Sequence, residues 1–218
     1  IIFDNMLAFD LHQKAHELHV ETDVPRGVFY IKVQQKGDQS IYEVVRNIFP
    51  DKEKDFVVNI DSENIVLIKE LKEILNSEEL DNMAKSLLDT INSESMNKVL
   101  IGVSTVAKNI NELNNAYKES QIALEVGKVF EEEKCILNYE NLGIGRLIYQ
   151  LPTKLCELFL SEVLKKDDIT LLDNETILTI NKFFENDLNV SETSRQLFVH
   201  RNTLVYRLEK INKLTGLD

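Results

Sequence analysis

The sequence predicts an α+β protein in two parts, a mixed sheet domain followed by an all-α domain. Three observations carry that prediction. Short β-branched and aromatic runs such as "VFYIKV" at 28–33 and "KVLIGVS" at 98–104 recur as far as residue 139. Stretches with helical periodicity alternate with them. From residue 141 onward the strand signal stops and only helical patterns remain.

Taken in order, residues 3–20 read as a helix, with Leu7, Leu11 and Leu18 close to one face and Ala15 between them. "DVPRG" at 23–27 breaks it, and 28–33 is a strand. "IYEVVRNIF" at 41–49 is a short helix. Strands 56–60 and 64–68 flank the polar turn Asp61-Ser62-Glu63, a hairpin signal. Residues 71–93 read as helical with a break near Asn76-Ser77, and 98–104 is the next strand. The amphipathic stretch 109–130 turns Leu113, Ala116, Tyr117, Ile122 and Leu124 inward and has Gly127 near its end. "KCILNY" at 134–139 is the last strand. Pro152 opens a helix at 153–164, the polar "KKDDIT" follows, and helices are expected at 173–186, 191–198 and 200–214, with Gly216 as the stop.

The bulk numbers narrow the function classes. No apolar run approaches the roughly 18 residues of a membrane span, so no membrane partner is expected. No leader precedes Ile1, so no signal peptide is expected, and the missing Met suggests a fragment of a longer chain. Cys135 and Cys156 lie far apart without CxxC spacing and read as two buried, reduced thiols, as expected of a cytoplasmic protein. His12 and His16 stand at i, i+4 with no third ligand in view, so they read as a solvated helix face and no metal or other cofactor is assigned. The net charge is −12, unevenly spread. From 187 to 218, Arg195, Arg201, Arg207, Lys210 and Lys213 face Asp187, Glu192, Glu209 and Asp218, a balance of +1 that leaves −13 on the rest. An acidic body repels phosphate, so only the tail can approach nucleic acid.

That tail, "SETSRQLFVHRNTLVYRLEKI", has the layout of a helix-turn-helix. Ser191 is expected to cap a helix beginning at Glu192, and Ser194 is small enough for another helix to cross there. Leu197 and Val199 surround the bend, and Leu204, Leu208 and Ile211 form a core-facing stripe on the next helix. Asn202, Thr203, Tyr206, Lys210 and Lys213 fall on the opposite side, with Arg201 and Arg207 flanking the stripe. Arg201 suits bidentate contact with guanine, Asn202 with adenine, and Thr203 a base edge or thymine methyl. His200, Tyr206, Arg207 and Lys210 suit phosphate contacts, and Ser191 can donate to a phosphate from a helix N-terminus. Arg195 completes the candidate DNA-binding set.

"LNVSETSRQLFVHRNTLVYRLEKINKLTGLD" closely resembles the C-terminal helix-turn-helix of the PucR/CdaR class of bacterial transcription regulators, through its "HRNTL-x-YRL" core and "TGLD" close. "ILTINKFFEND" looks like that family's leading helix. Val205 stands where the family usually has a basic residue, and Ser194 where Ala is usual. Upstream, "DVPRGVFYIKV", "VLIGVS" and "LNNAYKESQIALEVGKVF" resemble a degenerate GGDEF-like (ferredoxin-like/cyclase-like) domain of the carbohydrate diacid regulator branch. An active cyclase of that class needs two glycines in the hairpin turn and acidic residues to hold magnesium. Here the turn reads "NIDSENI", and the first strand offers Lys32 in place of a carboxylate, so no enzyme is expected.

The resemblance implies a connecting helix at 1–22, a GGDEF-like domain at 23–140, a helical linker at 141–172 and a helix-turn-helix domain at 173–218. It implies a regulator that binds double-stranded DNA as a homodimer, with the middle domain serving oligomerisation or signal relay. A small-molecule effector would act through an N-terminal sensor domain that this sequence lacks. The competing readings are a signalling or dimerisation module without DNA affinity and, further off, a nucleotide cyclase.

Overall fold

The computed structural model describes residues 2, 6–35, 40–130, 134–163 and 173–216. It divides into two compact units, Ile1–Gln150 and Leu151–Asp218.

The first unit is built on β1 (Arg26–Gln35), whose buried run from Arg26 to Ile31 marks it as the central strand. It pairs antiparallel with β3 (Asn64–Glu70) on one side and β4 (Lys98–Val103) on the other. β2 (Phe56–Asn59) joins β3 through the expected hairpin, and β5 (Ile136–Asn138) lies parallel to β4, giving the order β2-β3-β1-β4-β5. A parallel neighbour requires a crossover, which α4 (Leu113–Phe130) supplies.

Alternation along β1 sends Val28 and Tyr30 to one face and Phe29, Ile31 and Val33 to the other. The first face is covered by α1 (Ala8–Glu17), through Leu11 and Ala15, and by α4, through Leu113, Ala116, Tyr117 and Leu124. The second is covered by α2 (Ile41–Ile48) and α3 (Ser77–Ser95), which bury Ile41, Val44, Leu80, Ala84, Leu87 and Ile91. Each large side chain among these contributes about 1.5–3 kcal/mol on burial.

Several expectations need correction. Leu7 and Leu18 are exposed, because α1 among the described residues is only Ala8–Glu17 and both leucines flank it; residues 3–5 lie outside the description. Residues 71–75 are not helical. The apparent break at Asn76-Ser77 is the true start of α3, where Asn76 accepts from the Glu79 amide and Glu79 returns a bond to the Asn76 amide. Ile122 is half-buried. Cys135 is exposed and Cys156 half-buried, so neither thiol is a core residue: Cys135 precedes the edge strand β5, and Cys156 lies on a helix that buries no side chain. His12 and His16 are exposed.

In the sequence Arg26 is part of the chain break at 23–27. It opens β1 with a side chain 1% exposed. Its Nη2 donates to the Glu21 carbonyl at 2.7 Å and faces Glu70 at 3.9 Å. Burial pushes its pKa down, and Glu70 and Glu21 oppose that shift.

After α5 (Gly145–Gln150), the second unit begins with α6 (Thr153–Val163), started by Pro152, and continues with α7 (Asn174–Glu185), α8 (Val190–Gln196) and α9 (Arg201–Thr215). Residue 164 and "KKDDIT" lie outside the described residues, as do the last two residues of "TGLD". Among the described residues no helix is long and apolar enough to cross a membrane.

Candidate nucleic-acid interface

The three helices α7, α8 and α9 pack through a core of unusually small side chains. Leu204 is fully buried, and the other buried side chains of these helices are Thr176, Thr179, Thr193, Ser194 and Thr215. Four of these hydroxyls are satisfied within their own helix: Thr179 donates to Glu175 O, Thr193 to Asn189 O, Ser194 to Ser191 O and Thr215 to Ile211 O, all at 2.8–2.9 Å. Small, internally satisfied residues let the helix axes approach closely, as expected for Ser194. Leu208 and Ile211 are half-buried and border an apolar groove with Ile180 and Phe183.

Each helix start is fixed by a side-chain cap. Asp173 accepts from the Thr176 amide at 2.8 Å. Asn189 accepts from the amides of Ser191 at 3.0 Å and Glu192 at 3.2 Å. This corrects the expected role of Ser191. Asn189 is the cap, and Ser191 is an exposed first-turn residue whose amide is already engaged, leaving its hydroxyl. His200 caps α9: its Nδ1 accepts from the Asn202 amide at 3.2 Å, which puts any ring proton available to a partner on Nε2.

The turn between α8 and α9 closes with Phe198 at φ 54° and its side chain 95% exposed. The Phe198 amide donates to Arg195 O and the Val199 amide to Ser194 O, so a left-handed residue is built into the bend. Gly216 ends α9 at φ 72°.

From this frame Arg201, Asn202 and Thr203 occupy the exposed first turn of α9, with exposed Tyr206 one turn on. Arg201 makes no ion pair among the described residues. Lys210 is exposed and stands 3.9 Å from Asp173. Arg195 is exposed and paired with Glu192 at 2.9 Å within α8. Arg207 departs from the expectation of a phosphate-facing group. Its guanidinium donates to Glu175 at 2.6 Å and to Thr179 Oγ1 at 3.4 Å, with the side chain 23% exposed, so it clamps α9 to α7. Glu175 and Asn189 were missed by the sequence reading. Asn189 was detectable as a cap residue before a helix; Glu175 has no local signal, because its partner lies 32 positions away. The Asp173 carboxyl is held below its ordinary range, chiefly by hydrogen bonds from Thr176 and further by Lys210 and Arg207.

In the first unit the hairpin turn spends its own carboxylate. Asp61 accepts from the amides of Glu63 at 2.7 Å and Asn64 at 3.0 Å and from the Asn64 side chain. Those bonds hold the Asp61 carboxyl below its usual range, the Glu63 amide first. Among the described residues no group of three or more His, Cys, Asp or Glu side chains could hold a metal.

Comparison with known proteins agrees with both units. Residues 5–126 match the family model of the GGDEF-like domain, and residues 176–218 that of the PucR C-terminal helix-turn-helix domain. The chain is 27% identical to the purine catabolism regulatory protein of Bacillus subtilis over 58% of this chain and 24% of the relative. It is 26% identical to the carbohydrate diacid regulator of Escherichia coli over 95% of this chain and 56% of the relative. It thus spans about half or less of these relatives' length. A crystal structure of a regulator of polyketide synthase expression from Bifidobacterium adolescentis aligns at 17% identity and TM-score 0.46, over 95% of this chain and 78% of that one. With more than half its length matching the GGDEF-like model and its end matching the PucR helix-turn-helix, the chain belongs to the PucR/CdaR-type regulator family.

Proposed function

We propose that this chain regulates transcription by binding double-stranded DNA as a homodimer, with α9 as the helix that enters the major groove. One observation carries the reading. The first turn of α9 presents Arg201, Asn202 and Thr203 together to solvent, while Leu204 anchors the opposite side of the same turn. An arginine and an asparagine so placed match the donor and acceptor edges of guanine and adenine. His200, Tyr206 and Lys210, with the Ser191 hydroxyl and Arg195 on α8, contact flanking phosphates and set the register. Arg207 acts from behind, holding α9 against α7. A lone helix-turn-helix makes few contacts; two copies meet half-sites about 34 Å apart. The GGDEF-like domain is non-catalytic and serves oligomerisation or signal relay in the cytoplasm, and a small-molecule effector acts through a sensor domain outside this sequence.

The test is a gel shift against a genomic fragment library at low salt, comparing wild type with Arg201→Ala/Asn202→Ala. Wild type binds with steep salt dependence, since phosphate contacts release counterions. The double variant loses at least about tenfold in affinity, because each bidentate base contact is worth about 1–3 kcal/mol. Equal binding by the two proteins, with matching circular dichroism, removes α9 from the interface. An intact oligomer with no affinity for any DNA pool supports the signalling-module reading instead.

A further inference from the structure

The exposed side of α9 carries an aliphatic residue among polar neighbours. Val205 is 38% exposed, while Leu204 beside it is fully buried. At about 100° per residue, Val205 lies about 40° around the helix from Arg201 and about 60° from Asn202, one turn further along the same side. Nothing local favours valine there. Its branched side chain loses rotamer freedom in a helix, and alanine would cover the exposed side without that loss.

The two flanks of this side differ in charge. On one, Tyr206 and Lys210 are exposed and suit phosphate. On the other, Val205 is followed one turn later by Glu209, which is exposed and makes no ion pair among the described residues. A carboxylate set against a phosphate wall is repelled, so the flank with Val205 and Glu209 is the poorer one for the DNA backbone. The major groove has base edges between its two phosphate walls. A helix seated with Tyr206 and Lys210 toward one wall brings Val205 over base edges beside Asn202.

The chemistry of those edges selects one group. The major groove displays hydrogen-bond donors and acceptors, and the thymine C5 methyl is its one sizeable apolar feature. Valine can neither donate nor accept. Over a carbonyl, a ring nitrogen or an amino group it would displace water and return no bond. Over the methyl it buries apolar surface on both partners. Cytosine lacks that methyl and brings an N4 amino donor to the same edge, which Val205 would leave unpaired.

We propose that Val205 is a specificity-determining residue of α9 that reads the C5 methyl of a thymine in the half-site contacted by Arg201 and Asn202. The inference rests on the DNA-binding reading and adds to it a base preference that no hydrogen bond supplies.

The test starts from the sequences that the full chain selects from a random duplex pool. Each thymine of a selected half-site is then replaced in turn by deoxyuridine, which keeps every hydrogen-bonding group and removes only the methyl. Wild type loses about fourfold in affinity at one of these thymines, the equivalent of one buried methyl at about 0.8 kcal/mol. Val205→Ala, with matching circular dichroism, binds the thymine and deoxyuridine duplexes about equally. Its affinity falls with salt as steeply as that of wild type, because no phosphate contact has been removed. A thymine effect that survives in Val205→Ala assigns the methyl to another side chain and overturns the inference. A wild type that depends on Arg201 and Asn202 yet accepts deoxyuridine as well as thymine at every position overturns it too, and leaves the DNA-binding reading standing. A chain that selects no sequence overturns both.

Discussion

Replacing Gly102 with Ala tests how closely α4 is seated on the sheet. A Cβ at this position on β4 would fall inside the contact radius of the Ser120 carbonyl oxygen, 3.2 Å from the Ser120 carbonyl carbon and 2.8 Å from Leu124 Cγ. The obstacle is helix backbone, so no rotamer change relieves it. Ordinary C···O contacts begin near about 3.3 Å, and α4 would have to back away by roughly 1 Å. A gap of that size forfeits between a quarter and a half of each dispersion contact it opens. Leu113, Ala116, Tyr117 and Leu124 all lie on the side that lifts. The cost falls at the upper end of overpacking, about 3 kcal/mol, offset by about 0.4–1 kcal/mol from the stiffer unfolded chain, for a net loss of about 2–3 kcal/mol. Gly127→Ala is the control. Its Cβ meets the Leu137 side chain at 2.5–2.9 Å, which can shift, and alanine raises helix propensity by about 1 kcal/mol. The two variants are compared by urea denaturation followed by circular dichroism, with hydrogen exchange of the β4 amides reporting the sheet unit separately. A Gly102→Ala loss below about 0.5 kcal/mol, or a larger loss in Gly127→Ala, would refute the seating argument.

Three further outcomes follow from the second unit. A double-mutant cycle on Arg207→Ala and Glu175→Ala yields a coupling of about 0.5–1 kcal/mol that shrinks with salt, since Glu175 is largely exposed; a coupling of zero would remove the clamp. Phe198→Gly stabilises the helix-turn-helix by about 1 kcal/mol in thermal melts, because a non-glycine residue at positive φ is strained and this side chain packs on nothing that would compensate. The Asp173 carboxyl has a depressed folded pKa, so its contribution to stability is present above the unfolded value of about 3.9 and is lost as pH falls through the folded value. Melts between about pH 6 and 3 show this acid loss in wild type and a shallower one in Asp173→Asn, and identical profiles would contradict the assignment.

Much of the fold was legible because hydrophobic period and turn chemistry agreed. The β2-β3 hairpin followed from "NIDSENI" between two apolar runs, and Asp61 closes it as an Asx turn. Leu204 was legible as the buried anchor of α9 because its neighbours at i+4 and i+7 are apolar. The errors have local causes. Asn76 and Glu79 form a capping box, a pattern present in the sequence, but the apolar residues before it extended the helical period across a non-helical segment. Ser191 and Asn189 are both good caps two residues apart, and periodicity locates helix ends no better than that. Arg207 and Glu175 illustrate a deeper limit. A basic residue on a polar helix flank reads the same whether its partner is a phosphate or a carboxylate on another helix, and only the tertiary arrangement distinguishes them.

The two outermost strands, β2 with four residues and β5 with three, are also the shortest in the sheet. A border that brief leaves only a few amides and carbonyls for a stray chain to zip onto, whereas the ten-residue β1 is flanked on both sides. The molecule therefore hides its best template for runaway intermolecular pairing at the centre and finishes each margin before a foreign strand can gain a hold.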